Sequence, residues 1–177
     1  MTLTSGDKAS GGGVTIRRSV ASDREAILEA IVKTDFFREG EIDIALEILD
    51  NALAKGSEGH YQSYTAEMVG KPVGWMCFGP TPLTLGTFDI YWIVVHPGQQ
   101  GGGIGKKLMG LAERLIAERK GRMIVVETSG ERAYNPTRLF YLKLGYHEEA
   151  RLVNFYAPGE DKVTYVKRFV EQVSSSQ

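Results

Sequence analysis

Apolar and polar residues alternate through VTIRRSV, residues 14–20, and a period of two predicts a first strand. The period then lengthens. Ser22 with Glu25 three residues on reads as a capping box, and Ile27, Leu28, Ile31 and Val32 form the apolar face of the helix it opens. A second helix is predicted over about 41–55, where Ile42, Leu46, Leu49 and Leu53 recur at helical spacing and Gly56 and Gly59 stop it. Two strands follow, HYQSYTAEMV and PVGWMCFG, around a hairpin signal at Gly70-Lys71. A fourth strand over about 87–96 runs into a glycine-rich loop. A third helix over about 103–119 carries Ile104, Leu108, Leu111 and Leu115 on one side. RMIVVET is apolar almost throughout, as in a central strand. A fourth helix over about 136–144 stops at Gly145, and two last strands join through Pro158-Gly159. The order β-α-α-β-β-β-α-β-α-β-β is that of an α/β fold with a mixed sheet. Hairpins supply antiparallel pairs, and the strand–helix–strand unit around the glycine loop supplies a parallel one.

Length and charge narrow the function classes. The chain has 177 residues and a formal net charge of −1, which suits one domain with a sizeable core and offers nothing to a polyanion. No basic stripe marks a nucleic-acid surface. No apolar run nears the roughly 20 residues of a membrane-spanning helix, so no membrane partner is expected. Residues 1–13, MTLTSGDKASGGG, are small and polar and lack the apolar stretch of a signal peptide. They are expected to be a disordered lead-in to a single domain over residues 14–177. Cys77 is the only cysteine. It excludes an internal disulfide, suits a reducing cytoplasm, and reads as a small buried hydrophobe.

The chemistry concentrates in VVHPGQQGGGIGKKLM, residues 94–109. A strand, a stretch of backbone almost bare of side chains and a helix start suit a phosphate. The Walker pattern fails twice, because its first glycine falls on Gln100 and its Ser/Thr on Lys107. The dinucleotide fingerprint fails at its third glycine, which falls on Lys106 or Leu108. Gln100-Gly101-Gly102-Gly103-Ile104-Gly105 does match [QR]-x-x-G-x-[GA]. On these residues the sequence resembles the GNAT acetyltransferase superfamily, over about residues 14–170. The resemblance implies a mixed, mostly antiparallel twisted sheet of about seven strands, with a central parallel pair and four helices. It implies a pyrophosphate loop for acetyl coenzyme A at Gln100, Gly101, Gly102, Gly103, Ile104 and Gly105, with Lys106 where a cation helps. It also implies that the preceding strand splays from its parallel neighbour, so that Val94 and Val95 lie along the pantetheine arm.

Residues 134–146 read YNPTRLFYLKLGY. Similar acetyltransferases carry N-x-x-[AS]-x-x-x-Y-x-x-x-G-[FY], so the resemblance gives Tyr141 the role of protonating the leaving thiolate. Tyr134 and Thr137 depart from the pattern at its Asn and its Ala or Ser. If the helix reaches back to Tyr134, Tyr134 and Tyr141 share one face with Arg138 one turn from both. Tyr134 and Arg138 are candidate coenzyme contacts, with covering of the helix by its stem as the alternative for Arg138. The acceptor amine must also lose a proton. Asp89 is the first candidate base, a carboxylate in an otherwise apolar strand at the offset from the glycine motif where relatives place a glutamate. Glu127 is the second, and His96 has a loop role. Asp89, Tyr91 and Ile93 are expected to share one face. His60, His96 and His147 have no metal-ligand spacing, so no metal is expected. Phe36 and Phe37, with Glu39, Glu41, Asp43, Glu47 and Asp50, fall where the family forms much of its acceptor side. Together these features imply an acetyl-CoA-dependent N-acetyltransferase acting on a small-molecule or peptide amine, with a homodimer admitted as its assembly. A non-catalytic acyl-CoA sensor is the alternative, and Tyr141 and Asp89 speak against it.

Overall fold

The computed structural model describes residues 13–169. The lead-in expected over residues 1–13 therefore lies outside the described residues apart from Gly13. So do the last residues of the domain expected over 14–177. Elements follow in the expected order: β1 (Val14–Arg18), α1 (Arg24–Lys33), α2 (Glu39–Lys55), β2 (Gln62–Met68), β3 (Lys71–Pro80), β4 (Thr87–Val95), α3 (Ile104–Glu118), β5 (Met123–Ser129), α4 (Asn135–Lys143), β6 (His147–Ala157) and β7 (Glu160–Arg168). They build one seven-stranded sheet in the order β1-β2-β3-β4-β5-β7-β6. Among the described residues only β4 and β5 run parallel, as the strand–helix–strand unit requires. No helix among the described residues is long and apolar enough to cross a membrane.

Each face of the sheet has its own core. Helices α1 and α2 bury Ile27, Ala30, Ile31, Ala45 and Leu49 against Trp75, Cys77 and Val94. Helix α3 buries Ile104, Leu108, Met109, Ala112 and Ile116 on the other face, against Met76, Phe78, Ile90 and Ile124. The thiol of Cys77 lies inside the first core, and burial pushes its pKa up. In α1, Ala30 takes the inward place expected of Val32, which is exposed.

Three local expectations are corrected. The helix cap is not Ser22 with Glu25. Residues Ala21–Asp23 form a 3-10 turn ahead of α1, and the buried carboxylate of Asp23 accepts the Val20 N–H at 2.9 Å. It also takes both arms of Arg17 at 2.7 and 2.9 Å and the Thr65 hydroxyl at 3.0 Å. Asp23 wins because it can satisfy a chain end and a strand at once, whereas Ser22 faces solvent. The β2–β3 turn is Val69-Gly70, both at positive φ (51° and 72°), as a tight hairpin turn demands. Lastly, Phe78 pairs with Ile90 but Cys77 with Trp92, so Tyr91 is an extra residue, a β-bulge. The bulge puts Tyr91 and Trp92 on the same face and turns Ile93 to the other, away from Asp89 and Tyr91.

Burial raises the pKa of Asp23, but Arg17, Val20 N–H and Thr65 outweigh it and hold the carboxyl below its usual range. A carboxylate with a lowered folded pKa stabilises the fold above its unfolded pKa of about 3.9, and that stabilisation is lost as pH falls. Asp23→Asn should lower unfolding free energy at pH 7 by about 2 kcal/mol. In urea titrations its gap from the wild type should narrow below about pH 4. A gap that stays constant with pH contradicts the role given to this ion pair.

Candidate active site

Strands β4 and β5 pair only over Thr87–Ile90 and Met123–Val126. Beyond that β4 runs on to Val95 with no neighbour on the β5 side, while β5 continues against β7. The ladder with β3 sets which backbone groups face the gap. His96 N–H donates to Val73 O at 2.9 Å, so alternation turns Val94 toward β3 and the peptide groups of Ile93 and Val95 into the opening. The carbonyl of Val95 accepts the Gln100 side-chain amide at 3.0 Å, which ties the loop back to the strand.

The loop itself is a row of donors. None of the N–H groups of residues 101–106 has an acceptor among the described residues; the first amide to find one is Lys107, at 3.0 Å from Gly103 O. Gly101 and Gly103 sit at φ 82° and 79°, a conformation that costs other residues roughly 1 kcal/mol or more. Gly105 is small for another reason, since a Cβ there would stand 3.2 Å from the Phe140 ring. That contact lets α4 lie against the first turn of α3. The consecutive free amides and the start of a fifteen-residue helix form an anion cradle.

Cradle and gap open into one cleft of about 1060 Å³, at the upper end for a small-molecule site. Tyr141 and Asp89 both line it. Tyr141 comes from α4 on the α3 side and is 3 % exposed. Its hydroxyl has no partner among the described residues, and burial pushes its pKa up, so it stays protonated. Asp89 projects to the α1–α2 side, because its neighbours Phe88 and Ile90 pack into the α3 core. Its carboxylate accepts the Thr81 hydroxyl at 2.7 Å. Burial and, less strongly, the charge of Glu127 raise its pKa; Thr81 and His60 oppose them. The site thus holds a protonated phenol on one side of the sheet and a half-buried carboxylate with raised basicity on the other.

A family model described as an acetyltransferase (GNAT) domain matches residues 59–148. A solved structure from Desulfovibrio desulfuricans, assigned to the GNAT family, is 38 % identical, with 88 % of this chain and 99 % of that one covered and a TM-score of 0.84. The chain belongs to the GNAT acetyltransferase family. The Escherichia coli ribosomal-protein-S18-alanine N-acetyltransferase shares the fold at 16 % identity, with 93 % of this chain and 99 % of that one covered and a TM-score of 0.70. An aminoglycoside 6'-N-acetyltransferase complexed with coenzyme A does so at 15 %, with 88 % and 97 % covered and a TM-score of 0.69. No curated protein matches.

Not every candidate in this GNAT acetyltransferase faces where the sequence suggested. Gln100, Gly101, Gly103, Ile104, Gly105 and Lys106 line the cleft, and Gly102 lies between them. Val94 lines it too, but its side chain is buried under α1 and α2, and Ile93 takes its place on the open edge. The Arg138 guanidinium donates to the carbonyls of Ser129 and Glu131 at 2.7 Å each, so it pins the β5–α4 connection rather than standing free for a phosphate. Helix α4 begins after Tyr134, and the Tyr134 hydroxyl crosses to the Phe36 carbonyl at 3.1 Å. That places Tyr134 at the α1–α2 connection; burial and the charges of Glu41 and Glu160 push its pKa up to about 12.

Glu127 lines the cleft beside Asp89 but is paired with Lys162 at 2.9 Å. His96 accepts the Gly98 N–H at 3.1 Å, the loop role expected of it. Of the acidic residues of α2, only Glu41 reaches the cleft, and Asp50 is paired with Arg24. Phe36 lines the cleft; Phe37 also lines it and packs on Trp92, with ring centroids 5.0 Å apart. Tyr91 lines the cleft on the face of Asp89, as alternation predicts, and Thr81, Tyr156 and Glu160 line it without having been expected. Tyr156 and Glu160 come from β6 and β7, and β7 pairs beside β5 in the sheet. The Tyr91 hydroxyl meets His60 Nε2 at 2.8 Å.

Two variants should move the Asp89 titration in opposite directions. Glu127→Gln removes a like charge and should lower its pKa. Thr81→Val removes a hydrogen bond to the ionised form and should raise it. Carboxyl chemical shifts followed against pH would show both, and shifts of the same sign would mean that Asp89 does not face these groups.

Proposed function

We propose that this GNAT enzyme transfers the acetyl group of acetyl coenzyme A directly to a primary amine. The observation that carries this reading is the unmatched row of N–H donors at residues 101–106, continuous with the unpaired edge of β4. A pyrophosphate matches the first and an extended amide-bearing arm the second. Ile93 and Val95 offer that arm main-chain partners, and Lys106 adds a positive charge beside the cradle. The lone cysteine supports a reducing compartment, and we assign the enzyme to the cytoplasm on that ground.

The chemistry follows from which group holds which proton. Asp89 accepts a proton from the incoming ammonium, since only the free amine attacks; its raised pKa improves that transfer. The amine nitrogen bonds to the thioester carbon, and the unpaired amides of β4 stabilise the oxyanion that forms. The C–S bond then breaks, Tyr141 hydrogen-bonds the leaving sulfur and supplies its proton, and the extra proton on the acylated nitrogen passes to water, from which Tyr141 is reprotonated. A thiol's ordinary pKa of about 8.5 lies below that of a phenol near 10. Full transfer from Tyr141 is therefore uphill, and its contribution belongs at the lower end of the general-acid range.

Gly103→Val puts a branched side chain on backbone at φ 79° within the cradle. It should abolish coenzyme A binding in calorimetry while circular dichroism stays native; wild-type affinity removes the loop from the site. Tyr141→Phe should lower kcat about 10²-fold with little change in acetyl-CoA affinity, read by thiol release. An unchanged rate where chemistry limits turnover takes Tyr141 out of the mechanism.

A further inference from the structure

The acceptor half of the cleft has a definite charge. Glu41, Asp89, Glu127 and Glu160 line it, while Arg38 is the one cation among the residues lining that half. Arg38 is already bound to Glu160. Lys162, behind the wall, is held by Glu127 and lies over the Phe155 ring at 4.2 Å. Both cations are thus committed. Glu41 accepts the Arg38 N–H at 2.8 Å at the start of α2, and Asp89 has no cationic partner among the described residues, so carboxylates outnumber cations in this half. The tyrosines around the space report the same field: burial first, and nearby carboxylates second, raise the pKa values of Tyr91, Tyr134 and Tyr156.

The same space is walled by aromatic rings. Phe36 is 45 % and Tyr156 40 % exposed, and both line the cleft, so each offers uncovered ring to what enters it. The Phe36 ring leans on Tyr134 with centroids 5.4 Å apart, and Tyr156 is braced edge-on by Phe155 at 5.0 Å. The mouth is also narrowed. The Tyr134–Phe36 hydrogen bond joins the α1–α2 connection to the β5–α4 connection, and the Arg38–Glu160 ion pair joins it to β7.

We propose that the acceptor is a primary amine on a compact apolar body that carries no carboxylate. This rests on the amine-transfer reading above and names its substrate class. The ammonium approaches Asp89 and Glu127, the body lies between Phe36 and Tyr156, and an anionic group on the acceptor meets carboxylates with no free cation to receive it.

The test uses the full chain, acetyl coenzyme A and three acceptors: 2-phenylethylamine, phenylalanine and ethylamine. The second adds only a carboxylate to the first, and the third removes only the ring. Thiol release should give 2-phenylethylamine a kcat/KM at least roughly tenfold above each of the others. Phe36→Ala should narrow its advantage over ethylamine. Parity with phenylalanine overturns the charge argument, and parity with ethylamine, or a ratio untouched by Phe36→Ala, overturns the aromatic one. If no acceptor releases thiol while coenzyme A still binds in calorimetry, the transfer reading itself falls, and the inference with it.

Discussion

A parallel pair of strands that stops pairing after Ile90 leaves main-chain donors and acceptors with nothing to bond. Unmet backbone groups in a protein interior cost about as much as a lost hydrogen bond each, so a fold keeps such an opening only where something else completes it. Much of the site follows from this one divergence. The bulge at Tyr91 bends β4 away from β5 and reassigns the faces of every residue after it. The strand ends in His-Pro, the chain turns through glycines at positive φ, and α3 begins with its first amides free.

The divergence also joins the two faces of the sheet. The α3 side supplies the anion cradle and Tyr141, while the α1–α2 side supplies Asp89 and the aromatic mouth. A transfer between a thioester and an amine needs a proton removed from one reactant and delivered to the other. In the proposed transfer the two groups lie on opposite faces, so neither has to serve both reactants. Burial treats them in a complementary way: it keeps the phenol of Tyr141 protonated and makes the carboxyl of Asp89 a better base.

The fold was legible because its signals are local and repeated. The glycine spacing of residues 100–105 and the helical stripe of Ile104, Leu108, Leu111 and Leu115 each specify their element without help from distant residues. The placement of site residues was legible where it depends on their own strand or loop, as for Asp89 and the glycine loop, which do line the cleft. It was not legible where a register decides. One extra residue at Tyr91 exchanges the places of Val94 and Ile93 along the open edge, and nothing in IYWIVV, residues 90–95, announces it. Nor does local sequence show that Arg138 will spend its charge on two carbonyls, or that Tyr134 will reach Phe36 across the cleft. These are contacts between segments far apart in the chain, made only once the sheet order brings them together. Tyr156 and Glu160 are the same case, since both depend on how the last hairpin lies beside β5.

The central claim is that the unpaired edge of β4 and the amides of the glycine loop together receive the acyl donor. Amide hydrogen exchange of the chain, followed residue by residue by NMR with and without acetyl coenzyme A, tests it most directly. Exchange should slow at residues 101–106 and at Ile93 and Val95, while Val94, already facing β3, should respond least among its neighbours. Protection confined to other surfaces, or slowing at Val94 without slowing at Ile93 and Val95, would contradict it.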